Sequence, residues 1–143
     1  MTKFVVRKNA QGKLEILDRI RKKYVACTDE EKTRQMTILY LNETLNVPLS
    51  SIAVETEIKV NNLSKRTDLI VSNSQAKPAL IVECKAPSVK ITQDVFDQIA
   101  RYNLALQVNY LMVTNGIEQY FCYLNHEKQS YQFIPQLPDW TAF

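Results

Sequence analysis

Between Pro78 and Pro87 the chain reads Ala79-Leu80-Ile81-Val82-Glu83-Cys84-Lys85, a continuous apolar run that turns polar at its end. Such a run predicts a central strand covered on both faces, with its last residues reaching a sheet edge or a cleft. A strand of this kind needs neighbours on both sides and helices above and below it. The flanking patterns supply them. Thr92 is placed to cap a helix from Gln93 or Asp94 to about Leu106, with Val95, Phe96, Ile99, Ala100 and Leu106 at helical spacing. Val108 to Thr114 then reads as a further strand ended by Asn115-Gly116, so Val82 to Val113 forms a strand-helix-strand crossover.

The rest of the chain fits around that unit. Phe4 to Val6 and Leu14 to Leu17 predict an N-terminal hairpin whose turn uses Gly12 for a positive φ. Arg19-Ile20-Arg21-Lys22-Lys23-Tyr24 concentrates four basic residues, either a phosphate-facing patch or a solvated face. Thr28-Asp29-Glu30-Glu31 has the form of a capping box and opens a helix to about Leu45, with Met36, Leu39 and Tyr40 beside Ile38, Leu41 and Leu45 on its core face. Pro48 stops it. Ile52 to Val60 alternates as a half-exposed strand, Asn61 to Lys65 turns, and Asp68 to Ser72 follows as a strand. Tyr120 to Leu124 and Tyr131 to Ile134 form a closing hairpin, whose Tyr120, Phe121, Tyr123 and Tyr131 are read as cross-strand packing. With no repeat and no linker, the 143 residues are expected to be a single mixed α/β domain.

Composition excludes several classes. Two glycines, five prolines and 45% hydrophobic residues rule out collagen-like or disordered character, and no apolar run approaches the ~20 residues of a membrane span. The start Met1-Thr2-Lys3-Phe4 lacks a signal-peptide core, and Cys27, Cys84 and Cys122 suggest neither a disulfide framework nor a zinc site. The expectation is a cytoplasmic protein with no membrane partner. A net charge of +3 permits contact with nucleic acid without requiring it.

The informative residues are charges in an apolar setting. Glu83 and Lys85 lie two apart on the most apolar strand and therefore share a face. A strand end that has just reached solvent, with the two charges neutralising each other, is one account. Asp68 favours another. It opens the preceding strand with fourteen residues between it and Glu83, so a hairpin brings both carboxylates to one sheet end. At ~4 Å their repulsion is on the order of 4 kcal/mol for an effective dielectric of ~20. A hard divalent cation resolves it, since Mg²⁺ takes carboxylate and carbonyl oxygens and keeps several waters.

Arg66-Thr67-Asp68, a spacer and Glu83-Cys84-Lys85 resemble the PD-(D/E)xK nuclease signature, and Gln98-Ile99-Ala100-Arg101-Tyr102 resembles the QxxxY element of RecB-like members. From about Ile20 through Trp140 the chain is similar to the N-terminal endonuclease domain of the type I restriction enzyme restriction subunit. The phrases Ile20 to Val25, Leu80 to Pro87 and Leu111 to Gly116 carry that likeness. Thr67 stands where the signature has proline, and 143 residues leave no room for the subunit's motor.

The resemblance implies a restriction-endonuclease-like mixed central sheet flanked by helices, an αβββαβ core with N- and C-terminal hairpins. It implies a Mg²⁺-dependent endonuclease acting on DNA, with Mn²⁺ able to substitute, and a motor or specificity subunit as a possible partner. Asp68 and Glu83 would bind the metal with the main-chain carbonyl of Cys84, and Lys85 would orient the attacking water and stabilise charge on phosphate. Gln98 and Tyr102, i and i+4 on one helix, would face Lys85 or the DNA backbone, and Glu31 is a first-helix acid placed near the metal. Arg34, Lys65, Arg66, Lys90 and Arg101 are candidate phosphate contacts. His126, the single histidine, is read as a surface residue without a role. Two other classes remain: a nucleic-acid-binding or assembly module of the same fold without cleavage, and a purely structural domain.

Overall fold

A computed structural model describes residues 4–60, 63–104 and 106–143, with the side chains of 58–60, 63 and 65 outside that description. A small antiparallel sheet comes first, made of β1 (Val6–Lys8), β2 (Leu14–Asp18) and β3 (Lys23–Ala26). The β1–β2 turn is the expected one: Gly12 has φ +77°, and Asn9 Oδ1 accepts from the N–H groups of Gln11 and Lys13. The basic stretch after β2 exposes Lys22 and Lys23, while Arg21 is half-buried. Arg19 to Lys22 make a turn and Lys23 begins a third strand, paired through Asp18↔Lys23 and Leu17↔Tyr24. Buried Asp18 fixes that turn by accepting from the N–H groups of Ile20 (2.9 Å) and Arg21 (3.1 Å) and from Arg21 Nε (2.5 Å).

Helix α1 (Asp29–Thr44) begins where the capping box placed it, with Thr28 Oγ1 accepting from the Glu31 N–H at 3.0 Å. The main sheet follows in the order β4 (Ile52–Val60), β5 (Leu63–Ser72), β6 (Pro78–Cys84), β7 (Tyr110–Thr114), β8 (Gln119–Asn125), β9 (Ser130–Ile134). All neighbours are antiparallel except β6 and β7, whose parallel pairing (Leu80↔Tyr110 to Cys84↔Thr114) is the crossover through α2 (Gln93–Leu104). The apolar run is thus the third strand of six, buried from Ala79 to Cys84.

Two apolar layers hold the sheet between the helices. Ile38 and Leu41 of α1, with Leu45 at its C-cap, pack with Leu69, Val71, Leu80, Val82 and Met112, while Phe96, Ala100 and Leu104 of α2 pack with Ile81, Leu111, Val113 and Cys122. Alternation along β6 sends Leu80, Val82 and Cys84 to α1, and Ile81 to α2. Met36 corrects the expected core face of α1, because it is exposed whereas Thr33, Arg34, Gln35 and Thr37 are buried. Strand β5 starts at Leu63, earlier than expected. It pairs with β4 out to Val60↔Leu63 but with β6 only from Leu69 to Ser72, so the outer β4–β5 hairpin projects past the sheet. The expected turn residues Asn61 and Asn62 lie outside the described residues.

The tail hairpin packs its aromatics as expected, with Tyr110 and Tyr123 paired across strands at 5.5 Å and Phe96 against Tyr131 at 5.5 Å. His126 is not a simple surface residue. It is half-buried, with ring nitrogens 3.1 Å from the Leu104 carbonyl and 2.8 Å from that of Val108, and it ties the hairpin to the α2–β7 connection. Gly116, in the turn between β7 and β8, has φ +87°, and a Cβ there would lie 3.1 Å from Thr33 Oγ1. Gly116→Ala is expected to lower stability by about 1–2 kcal/mol through left-handed strain, read as a lower urea midpoint with an unchanged slope. Among the described residues no helix is long and apolar enough to cross a membrane.

Candidate active site

The first two turns of α1 carry an unusual inward face. Glu31, Arg34 and Gln35, at i, i+3 and i+4, point the same way and are all buried. The helix therefore passes from an apolar C-terminal half, at Ile38 and Leu41, to a polar pit at its N-terminal end. Buried charges persist only when paired, and the pairing here is dense. Arg34 Nη1 donates to Glu31 Oε1 at 2.6 Å and lies 3.1 Å from Glu55 Oε1 on β4, while Nη2 reaches Asp68 Oδ1 on β5 at 3.4 Å.

Further groups close the network. Gln35 Nε2 donates to Glu31 Oε2 at 3.1 Å. Arg21, held by Asp18, stands 3.8 Å from both Glu31 and Glu55. Arg66 Nη2 meets Glu55 Oε2 at 2.5 Å. Burial alone would lift the Glu55 carboxyl, but the charge of Arg34 and the hydrogen bond from Arg66, with Arg21 behind them, hold it below the usual range. Burial opposes the charge on Arg34 too, and Glu31, Asp68 and Glu55 outweigh it, so its guanidinium is held more firmly protonated than usual.

Asp68 links this network to the central strand. It stands beyond the last β5–β6 pair, Leu69↔Val82, and its Oδ2 accepts from the backbone N–H of Cys84 at 2.7 Å. Cys84 ends β6, with Glu83 before it and Lys85 just past the strand, so the aspartate carboxylate is fastened to the strand backbone at that step. Glu83 is buried and Lys85 half-buried. The Lys85 N–H bonds the Thr114 carbonyl at 2.8 Å, which prolongs the β6–β7 ladder and fixes where the lysine leaves the sheet. The Cys84 side chain belongs to the core, and burial, aided by the Asp68 charge, pushes its thiol well above its ordinary range. Its contribution to the site is its backbone.

An open cleft of about 460 Å³, lined by Thr28, Glu30, Glu31, Arg34, Glu55 and Ala86, runs beside this cluster. Asp68, Glu83 and the Cys84 carbonyl offer hard oxygen donors, the kind a Mg²⁺ ion takes. Among the described residues no group of three or more His, Cys, Asp or Glu is arranged to hold an ion. That is compatible with Mg²⁺, which is commonly held by one or two protein carboxylates with water and phosphate completing the shell. In donor chemistry the residues fit the ion.

The remaining expected residues are not gathered at the same point. Arg34 is a correction: at 5% exposure, engaged with three carboxylates, it is a buried counter-ion and no phosphate contact on the surface. Arg66 is exposed but bound to Glu55, and Lys90 and Arg101 are exposed with no described link to Asp68. The Lys65 side chain lies outside the described residues. Gln98 is exposed on α2, which packs on the opposite sheet face from α1. Tyr102 donates its hydroxyl to the Ser64 carbonyl at 2.5 Å, anchoring the start of β5. Glu55, Arg21, Asp18 and Gln35 were not expected at the site. The signal for Gln35 is its helical spacing from Glu31, whereas Glu55 carried none.

The comparisons agree with this architecture. Residues 29–138 match the family model described as type I restriction enzyme R protein N terminus (HSDR_N). That match covers well over half of the chain, which therefore belongs to this family and has a restriction-type nuclease fold. A crystal structure described as a "putative nuclease belonging to DUF820 from Anabaena variabilis ATCC 29413" aligns with a TM-score of 0.50 at 9% identity, over 95% of this chain and 87% of that one. At that identity the likeness concerns the fold alone. No curated protein matches the chain.

Proposed function

We propose that the chain is a Mg²⁺-dependent endonuclease domain that hydrolyses DNA phosphodiester bonds. The observation that carries the reading is the Asp68 carboxylate fastened to the Cys84 N–H, between Glu83 and Lys85. Asp68, Glu83 and the Cys84 carbonyl hold the ion, and Lys85 orients the attacking water and meets charge developing on the phosphate. When bound, the ion supplies Lewis acidity and a more acidic water, so no histidine base is required. Gln98 and Tyr102 act from α2, Gln98 toward the DNA backbone and Tyr102 by holding β5. Arg66, Lys90 and Arg101, with Lys65, meet phosphate outside the cleft. DNA is the partner, with a motor or specificity subunit of a restriction system selecting where it is cut. Reduced cysteines support a cytoplasmic setting.

One observation favours a second reading, a nucleic-acid-binding or assembly module of this fold without cleavage: Asp68 is already neutralised internally by Arg34. A plasmid-nicking assay separates the two. The endonuclease relaxes supercoiled DNA in Mg²⁺ or Mn²⁺ and stops when EDTA removes the ion. Salt-sensitive DNA binding with no nicking across a series of divalent metals would establish the module instead.

A further inference from the structure

The Arg34 guanidinium joins α1, β4 and β5 at the site. It touches Glu31 on its own helix at 2.6 Å, Glu55 at 3.1 Å and Asp68 at 3.4 Å. Strand register sets up the last two contacts. Val54 pairs with Leu69 and Thr56 with Thr67, so Glu55 and Asp68 face one another at the step between, where Glu55 has φ +50°. Two carboxylates facing each other in a partly buried position repel, and a cation between them removes that cost. Arg34 is that cation.

The contact lengths are unequal. The bonds to Glu31 and Glu55 are short and the one to Asp68 is the longest, so the guanidinium holds Asp68 least firmly. Its Nε–H is buried without a hydrogen-bond partner among the described residues, so the donor fork is not saturated. The Asp68 Oδ2 atom is taken by the Cys84 N–H, leaving Oδ1 as the oxygen that Arg34 and an incoming ion would both use.

We propose that Arg34 is a resident counter-cation of the metal site, which occupies Asp68 Oδ1 in the ion-free protein and yields it to the divalent ion while remaining bound to Glu31 and Glu55. This rests on the metal-binding role proposed for Asp68. Arg34 is then a positioning residue: it keeps the Asp68 carboxylate aimed before the ion arrives, at the expense of competing with that ion.

The competition gives a sign that a structural role lacks. Removing Arg34 tightens ion binding. Arg34→Met combined with Glu55→Gln removes one positive and one negative charge, so the net charge of the cluster is kept while the occupant of Asp68 Oδ1 is lost. Mn²⁺ binding to the full chain, followed by electron paramagnetic resonance of the free ion, is expected to be about tenfold tighter in this double variant than in the wild type. Arg21→Met removes a cation from the same network without touching Asp68, and is expected to shift the affinity by less than about threefold. Adding Asp68→Asn to the double variant should abolish the gain.

A measurement on the unaltered protein stands apart from any folding defect in the variants. Mg²⁺ titration is expected to move the Arg34 Nε–H resonance and leave that of exposed Arg7 in place. Unchanged or weaker Mn²⁺ binding by the double variant, an equal gain from Arg21→Met, or a stationary Arg34 resonance at saturating Mg²⁺ would each overturn the exchange while leaving the metal site standing. Failure of every form of the protein to bind Mn²⁺ would overturn the exchange and the metal-dependent reading together.

Discussion

Lys85→Ala is expected to retain DNA affinity within about threefold of the wild type while its Mg²⁺-supported nicking rate falls about 10²- to 10³-fold. The separation follows from position. Lys85 leaves the sheet one residue past the Cys84↔Thr114 pair, with its N–H bonded to Thr114, so its Cα moves little when the side chain is shortened. Exposed Arg66, Lys90 and Arg101, the proposed phosphate contacts, are untouched by the substitution. What disappears is the Lys85 ammonium, which on the proposed reading matters most when the scissile phosphate gains negative charge in the transition state. Lys85→Arg is expected to recover little, because a planar, bulkier guanidinium does not replace a compact ammonium at a fixed point. Wild-type nicking by purified Lys85→Ala would remove the lysine from the reaction and with it the proposed arrangement of the active site.

The sequence shows β6, its crossover and the α1 cap because each rests on a local signal: an apolar run between prolines, a helical period, a Thr-x-x-Glu box. The step that joins Asp68 to Cys84 is legible for the same reason, since one hairpin suffices to lay β5 beside β6. What lies hidden is non-local. Arg34 looks like a surface cation because its two acidic partners on the strands, Glu55 and Asp68, are 21 and 34 positions away. Met36 looks like core for a related reason: once Arg34 and Gln35 turn inward, the adjacent Met36 is rotated toward solvent. Glu55 belongs by alternation with exposed Glu57, and its positive φ, with no glycine to announce it, redirects it. Strand β3 escapes notice because charged Arg19 to Lys23 hide a strand that Asp18 nucleates through a turn.

That turn carries the second large effect, because Asp18→Ala is expected to lower the midpoint of thermal unfolding by about 10 °C at pH 7. Asp18 is fully buried and accepts from two backbone N–H groups and from Arg21 Nε, all of which lose their acceptor in the variant. Stranding these part-buried donors, Arg21 among them, costs on the order of 3 kcal/mol, and about 3 °C accompanies each kcal/mol in a chain of this size. The pH dependence identifies the cause. Burial would raise the Asp18 carboxyl, but the hydrogen bonds from Arg21 and Ile20 and the Arg21 charge outweigh it and hold it below its ordinary 3.8. A carboxyl lowered on folding contributes stability above its unfolded value and loses it as pH falls through the native one. The gap between wild type and variant in urea midpoints should therefore be full at pH 7, begin to close below about pH 4, and be smallest near pH 2. Asp18→Asn, which keeps one acceptor oxygen and no charge, should fall between them. A gap that stays constant from pH 7 to pH 2 would show that the side chain stabilises by packing alone.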